Sequence, residues 1–130
     1  MATTNLHDEH GERINVAADW LIDRMDEWRI GMLPSYQRMC QAIRDNAQSI
    51  RNLNRPGNTN GAVDVGILTL VDRIGALLYD DYFVTVTGKT RIQLARYKVN
   101  TIRGAAKDRH DTREPQTQAE PERERMANRA

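Results

Sequence analysis

From Glu12 onward apolar residues return every three or four positions: Ile14, Ala17, Ala18, Leu21, Met25, Trp28 and Met32. That period predicts an amphipathic helix over residues 12–32, with Asp19, Asp23, Asp26 and Glu27 on its other side. Trp20, Ile22 and Ile30 fall outside the stripe and point to a second contact surface, one between subunits. "GMLP" at positions 31–34 breaks the pattern, and Pro34 suits the first turn of a new helix. Tyr36, Met39, Cys40, Ile43, Ala47, Ile50 and Leu53 carry that helix over residues 34–54, until "NRPGNTNG" marks a loop.

A third stripe, Val63, Ile67, Leu70, Val71, Ile74, Leu77 and Leu78, predicts a helix over residues 62–82. Val65, Leu68 and Ala76 lie off that stripe, so the helix reads as apolar nearly all round and is expected to be central and buried. Gly66 and Gly75 would then mark close approach of neighbouring backbones, and Asp72 and Arg73 would need partners if buried. "YFVTVTG", positions 82–88, is the one β-prone stretch and reads as an extended connection or short edge strand. Ile92, Ala95, Val99, Ile102 and Ala106 form the stripe of a last helix over residues 89–109.

The expected fold is therefore all-α. Four helices form a bundle-like domain over residues 12–109, led by an extended N-terminal helix pair. A flexible N-terminus, 1–11, precedes it. A polar tail, 110–130, follows; it lacks a periodic core and is expected to order only against a partner. No apolar run is long enough to span a membrane, and the first residues carry no basic and apolar signal pattern. With Cys40 the only cysteine, packing must hold the fold, and an intracellular or virion setting is expected.

A net charge of +1 conceals blocks of opposite sign. Residues 1–30 hold three basic and seven acidic side chains, and residues 31–60 hold four and one. Residues 61–88 hold one and four; residues 89–113 hold eight and two. Arginines number 16 against 3 lysines, and the guanidinium fork is the better bidentate phosphate ligand.

Several chemistries can be set aside on spacing. Gly88-Lys89-Thr90 suggests a phosphate loop, but Phe83 stands where that loop needs its first glycine, and no βαβ pattern surrounds it. It reads as a turn, with Thr90 able to cap the following helix. "HDEH", His7 to His10, has zinc-type donors, yet no second ligand pair lies downstream and His110 is isolated. Cys40 sits on an apolar stripe, where a small buried hydrophobe is expected. Asp80 and Asp81, adjacent on a helix, diverge by about 100° and cannot share a site alone. No catalytic residue, metal or cofactor is expected, and no small-molecule substrate.

The basic helices remain. At about 100° per residue, Arg44, Arg51 and Arg55 project within about 40° of one another, among Gln37, Gln41, Gln48 and Asn52. Such a ladder suits a phosphate backbone, and the last helix offers a second track: Arg96, Arg103 and Lys107 beside its stripe on one side, Arg91, Lys98 and Arg109 on the other. The competing expectation is that acidic helices one and three neutralise basic helices two and four.

Two amphipathic helices broken at "GMLP", a Gly-containing loop and the apolar "GILTLVDRIGALL" together resemble the major coat proteins of filamentous archaeal viruses, in organisation, over about residues 12–109. The resemblance implies subunits that pair, stack helically and sheathe double-stranded DNA with their N-terminal helices. It implies a DNA-facing role for Arg38, Arg44, Arg51 and Arg55, and a first helix whose acidic face meets a neighbouring subunit. The expected function is thus a non-enzymatic, nucleic-acid-sheathing structural protein. Its expected nucleic-acid-binding residues are Arg38, Arg44, Arg51, Arg55, Arg91, Arg96, Lys98, Arg103 and Lys107, and its expected partners are nucleic acid, double-stranded DNA favoured, and itself or a paralogous subunit. The alternatives are a small helical subunit of a ribonucleoprotein effector and a charge-mediated protein–protein adaptor.

Overall fold

The computed structural model describes residues 8–58 and 60–113. Residues 1–7 and 114–130, the greater part of the expected flexible terminus and polar tail, lie outside the described residues. Five helices follow in order: α1 (Glu9–Trp28), α2 (Pro34–Leu53), α3 (Gly61–Leu78), α4 (Asp81–Thr87) and α5 (Lys89–Arg113). No strand occurs among the described residues, so the fold is all-α.

Helix starts follow local chemistry. Asp8 caps α1 by accepting from the Gly11 amide at 2.9 Å, so the chain is helical from Glu9 rather than from residue 12. Asn60 caps α3 through the Val63 amide, and Asp80 caps α4 through that of Phe83. Pro34 occupies the first turn of α2. Gly31, at φ 83°, makes the turn before it.

"YFVTVTG" is a helix, which corrects the extended reading. Phe83 and Thr87, one turn apart, are both buried, and α4 packs against α5. An aspartate cap and a packed face outweigh the weak helix preference of Val84, Thr85 and Val86. Gly88, at φ 103°, then turns the chain into α5, which runs to Arg113 rather than residue 109.

The four long helices form a closed ring: α1 packs on α2 and α5, and α3 packs on the same two. Short connections make sequential neighbours antiparallel. One end therefore carries the α1–α2 turn and the α3–α4–α5 connection; the other carries the α2–α3 loop and the outer termini of α1 and α5. The core is drawn from all five helices, with Ile14, Leu21, Met25, Ile43, Ile50, Ile67, Ile74, Leu78, Phe83, Ile92 and Ile102 fully buried. Each such side chain contributes about 1.5–3 kcal/mol by leaving water.

No long helix is central. α3 occupies a corner like the others, with Val65, Asp72, Arg73 and Ala76 exposed, so the fully buried expectation is corrected. What its apolar excess does is half-bury Leu68, Leu70 and Leu77 in the grooves to its neighbours. A Cβ at Gly66 would meet Leu53 Cδ1 at 3.2 Å, so a side chain, not a backbone, needs that space.

The buried acid of α3 is not Asp72 but Asp64. Its Oδ1 accepts from Arg109 Nε at 2.8 Å, and Arg109 Nη1 reaches Asp8 Oδ2 at 2.8 Å. Arg109 is only 5% exposed, so one guanidinium ties α5 to α3 and to the start of α1. Asn54 adds to the same end by donating to the Gly11 carbonyl and to Asn15 Oδ1.

Removing Arg109 takes its guanidinium away from the buried Asp64 carboxylate, whose other oxygen lies 4.0 Å from His110 Nδ1. Arg109→Leu is expected to cost about 3–5 kcal/mol in urea unfolding, and Asp64→Leu in the same chain to recover part of that loss. A single variant as stable as the parent would contradict the assigned burial. Burial raises the Asp8 pKa, but the Gly11 amide and Arg109 together outweigh it and hold the carboxyl below its ordinary 3.8. A lowered carboxyl pKa gives stability that is fully present above 3.8 and lost as pH falls through the folded value. Asp8→Asn is therefore expected to be less stable than the parent at neutral pH and to converge with it in acid, as read by thermal unfolding across pH.

Candidate nucleic-acid interface

From Lys89 to Lys107 the chain has six basic residues and no acidic one. All six lie on α5, a 25-residue helix about 37 Å long at 1.5 Å per residue. Ile92, Ala95, Val99, Ile102 and Ala106 face the core. Arg91 and Lys98 flank that face toward α1; Lys89, Arg96, Arg103 and Lys107 flank it toward α3 and α4. Between the two rows Gln93, Tyr97, Asn100 and Gly104 are exposed.

Three of the six, Arg91, Arg96 and Lys98, are held by aromatic rings or a backbone carbonyl. The Arg91 guanidinium carbon lies 5.6 Å from the centre of the Trp28 ring, and Lys98 Nζ lies 5.6 Å from the Trp20 ring centre. The two indoles meet edge to face at 5.9 Å. Arg24 covers Trp20 from α1 at 5.8 Å and also reaches Glu27. A ring face orients a cation for about 0.5–1 kcal/mol at an exposed site and leaves its charge in place. Arg96 donates Nε and Nη2 to the Leu78 carbonyl at 3.2 and 2.8 Å and stacks 3.9 Å over Tyr79. It thereby caps the C-terminus of α3, where a cation is favoured. Arg103 is paired with Asp72 at 3.1 Å. Lys89 and Lys107 are exposed.

The α2 ladder has a different fate. Arg44 Nε meets Asp26 Oδ1 at 2.9 Å, and Arg51 Nε meets Asp19 Oδ1 at 2.9 Å. Seven residues up α2 correspond to seven residues down α1, the register of an antiparallel pair. Arg29 and Gln41 continue that register with a 2.9 Å hydrogen bond. Asp19 and Asp26, two members of the acidic face of α1, thus meet α2 of their own chain. These pairs are a third to a half exposed and stabilise by at most about 1 kcal/mol each. Their larger effect is on charge: two cations of the ladder are answered at home.

Arg55 lies past the end of α2 and donates to the Asn52 carbonyl at 2.9 Å, so it leaves the helical row. Arg38 is exposed near the other end of α2. Since α2 and α5 are diagonal in the ring, the nine expected residues do not share one surface. Arg91, Arg96, Lys98, Arg103 and Lys107 come together on α5; Arg38, Arg44, Arg51 and Arg55 lie across the bundle.

Lys89 belongs to the α5 face and stood outside the expected set; its place seven residues before Arg96 was a usable signal. Arg109 leaves the flanking basic row for the buried pair described above. In "HDEH", His7 lies outside the described residues, Asp8 is a helix cap, and His10 Nδ1 lies 2.8 Å from Arg13 Nη2. Asp80 caps α4 and Asp81 is exposed beside it. No helix among the described residues is long and apolar enough to cross a membrane.

Comparison with protein-family models, curated proteins and solved structures returned no match.

Cys40 is fully buried, and burial pushes its thiol up to about 11, with Arg29 opposing weakly. At pH 8 the native thiol is expected to resist a disulfide reagent that modifies it promptly in denaturant. Equal rates in both states would contradict its place in the core.

Proposed function

We propose that this chain is a non-enzymatic structural protein that binds nucleic acid along α5 and coats it as one of many subunits. The observation that carries the reading is the acid-free run from Lys89 to Lys107, set as two cationic rows beside an exposed face that holds Gln93, Leu94, Tyr97 and Asn100. Phosphate backbones are bound by such sequence-independent charge, and each neutralised phosphate releases condensed counterions. Exposed Tyr97, between the rows, adds a ring that a base or sugar can contact.

The α2 ladder takes a secondary part. Breaking Arg44 or Arg51 out of its carboxylate pair costs little, but it leaves Asp19 or Asp26 facing the same polyanion. The adaptor reading loses its main support on the same ground, because the alternating charge blocks of α1 and α2 mate within one chain. A coat subunit of a helical particle is the form of this function that the family resemblance implies, with double-stranded DNA as the favoured polymer.

Binding is expected to weaken steeply with salt on duplex DNA, with a shallower slope on single strands. Arg91→Gln with Lys107→Gln should lower the salt slope on the duplex by about two, roughly one for each lost contact. Arg44→Gln with Arg51→Gln should change it far less. Titrations on duplex DNA, single-stranded DNA and single-stranded RNA measure both. Binding absent from all three polymers, or lost only with the α2 pair, would overturn the proposal.

A further inference from the structure

Ala17 on α1 and Thr101 on α5 line the α1–α5 seam one turn beyond the contact of Trp20 with Lys98. Both are short, and the seam opens there into a groove of about 270 Å³ lined by Glu12, Arg13, Val16, Ala17, Lys98 and Thr101. Its wall is mostly apolar. Ala17 is 2% exposed, and Val16, 66% exposed, stands at the rim. The volume lies just below the roughly 300–1,000 Å³ of ordinary ligand pockets, so the occupant is one small group.

Charge is graded along this groove. Toward the start of α1 stand Glu12 and, three residues before it, Glu9; Asp108 follows Thr101 by seven residues on α5, and all three are exposed. The one cation there is Arg13, which meets His10. Toward the other end stands Lys98, with its Nζ 5.6 Å from the Trp20 ring centre and 6.0 Å from that of Tyr97. Arg24 over Trp20 and Arg91 over Trp28 come next. Asp23 is exposed seven residues after Val16, and Glu27 is held by Arg24. Three cations thus face two carboxylates at this end, against one cation and three carboxylates at the other. An anion enters at Lys98, where the groove joins the α5 row.

An apolar wall can meet a base only on its ring faces. In a duplex those faces are covered by stacking, and the grooves display edges alone. An unpaired nucleotide joins a flat apolar body to an anion, and the α5 interface brings it to this place. Thr101 Oγ1 donates to the Tyr97 carbonyl at 3.0 Å, so its oxygen can still accept from a base amino group. We infer that the groove takes one unpaired base of the bound nucleic acid, with the adjoining phosphate on Lys98. This rests on the α5 interface proposed above and adds to it a site for single strands, strand ends and opened pairs. A base that is already unpaired costs least to seat.

Three probes of equal length test this: a single-stranded oligonucleotide, the same strand made of abasic nucleotides, and the blunt duplex. The full chain should bind the base-bearing strand about tenfold more tightly than the abasic one, the scale of one base contact. Thr101→Leu, which fills the groove, and separately Val16→Gln, which removes its apolar rim, should each shrink that difference. Duplex affinity, the salt slope and the helical circular dichroism spectrum should stay unchanged. Val16 is exposed and Thr101 bonds within its own helix, so the fold does not depend on either. Equal affinity for the base-bearing and abasic strands would overturn the inference and leave the α5 interface standing. So would a Thr101→Leu variant that weakens duplex and single strand alike, or Val16 and Thr101 methyl resonances that move with octanoate and not with the single strand. A chain that binds none of the three probes removes both the groove site and the interface.

Discussion

Two half-exposed ion pairs, Arg44–Asp26 and Arg51–Asp19, govern what this molecule can offer to a partner. Neither holds the bundle together by its own energy, since pairs this wet are worth at most about 1 kcal/mol. They act by bookkeeping of charge. Asp19 and Asp26 of α1 are turned toward α2 because the antiparallel register aligns these two carboxylates with the guanidinium groups of Arg51 and Arg44. Once that alignment exists, the second helix presents a nearly neutral seam. Cationic surface in excess of local acid is then found on α5.

The α5 cations are restrained by a different kind of partner. Trp20, Trp28 and Tyr79 offer ring faces, and the end of α3 offers a carbonyl. These groups fix where a Lys or Arg points while leaving its charge available. Pre-ordered side chains lose less rotamer freedom on binding than free ones, so these rings, Trp20 and Trp28 on α1 and Tyr79 at the end of α3, favour contact with an anion. At the far end the balance is reversed. Arg109, enclosed with Asp64 and Asp8, is spent on holding three helices in place.

Much of the fold was legible in the chain. The stripes from Ile14, Tyr36, Val63 and Ile92 placed four helices, and the breaks at Gly31–Pro34 and Asn54–Gly61 placed two connections. Helix α4 was not legible, because Val84, Thr85 and Val86 favour a strand, and the Asp80 cap decides otherwise only together with the burial of Phe83 and Thr87. The candidate site was half legible. A count of basic residues located α2 and α5 alike, yet charge alone does not tell which helix meets its own carboxylates. The matching seven-residue steps, Asp19 to Asp26 and Arg44 to Arg51, carried that information, but only for a reader who already knew that α1 and α2 run antiparallel. Arg109 and Asp64 are 45 residues apart, and no local pattern connects them.

What decides between a cationic face on α5 and a ladder on α2 is where a polyanion touches the folded chain. Amide and side-chain chemical shifts, followed by nuclear magnetic resonance as a short DNA duplex is added at low salt, map that contact residue by residue. The largest changes are expected on Lys89, Gln93, Tyr97, Asn100 and Lys107, with Arg44 and Arg51 still on their aspartates. Changes centred on Arg44 and Arg51, or none on the outer side of α5, would contradict that placement.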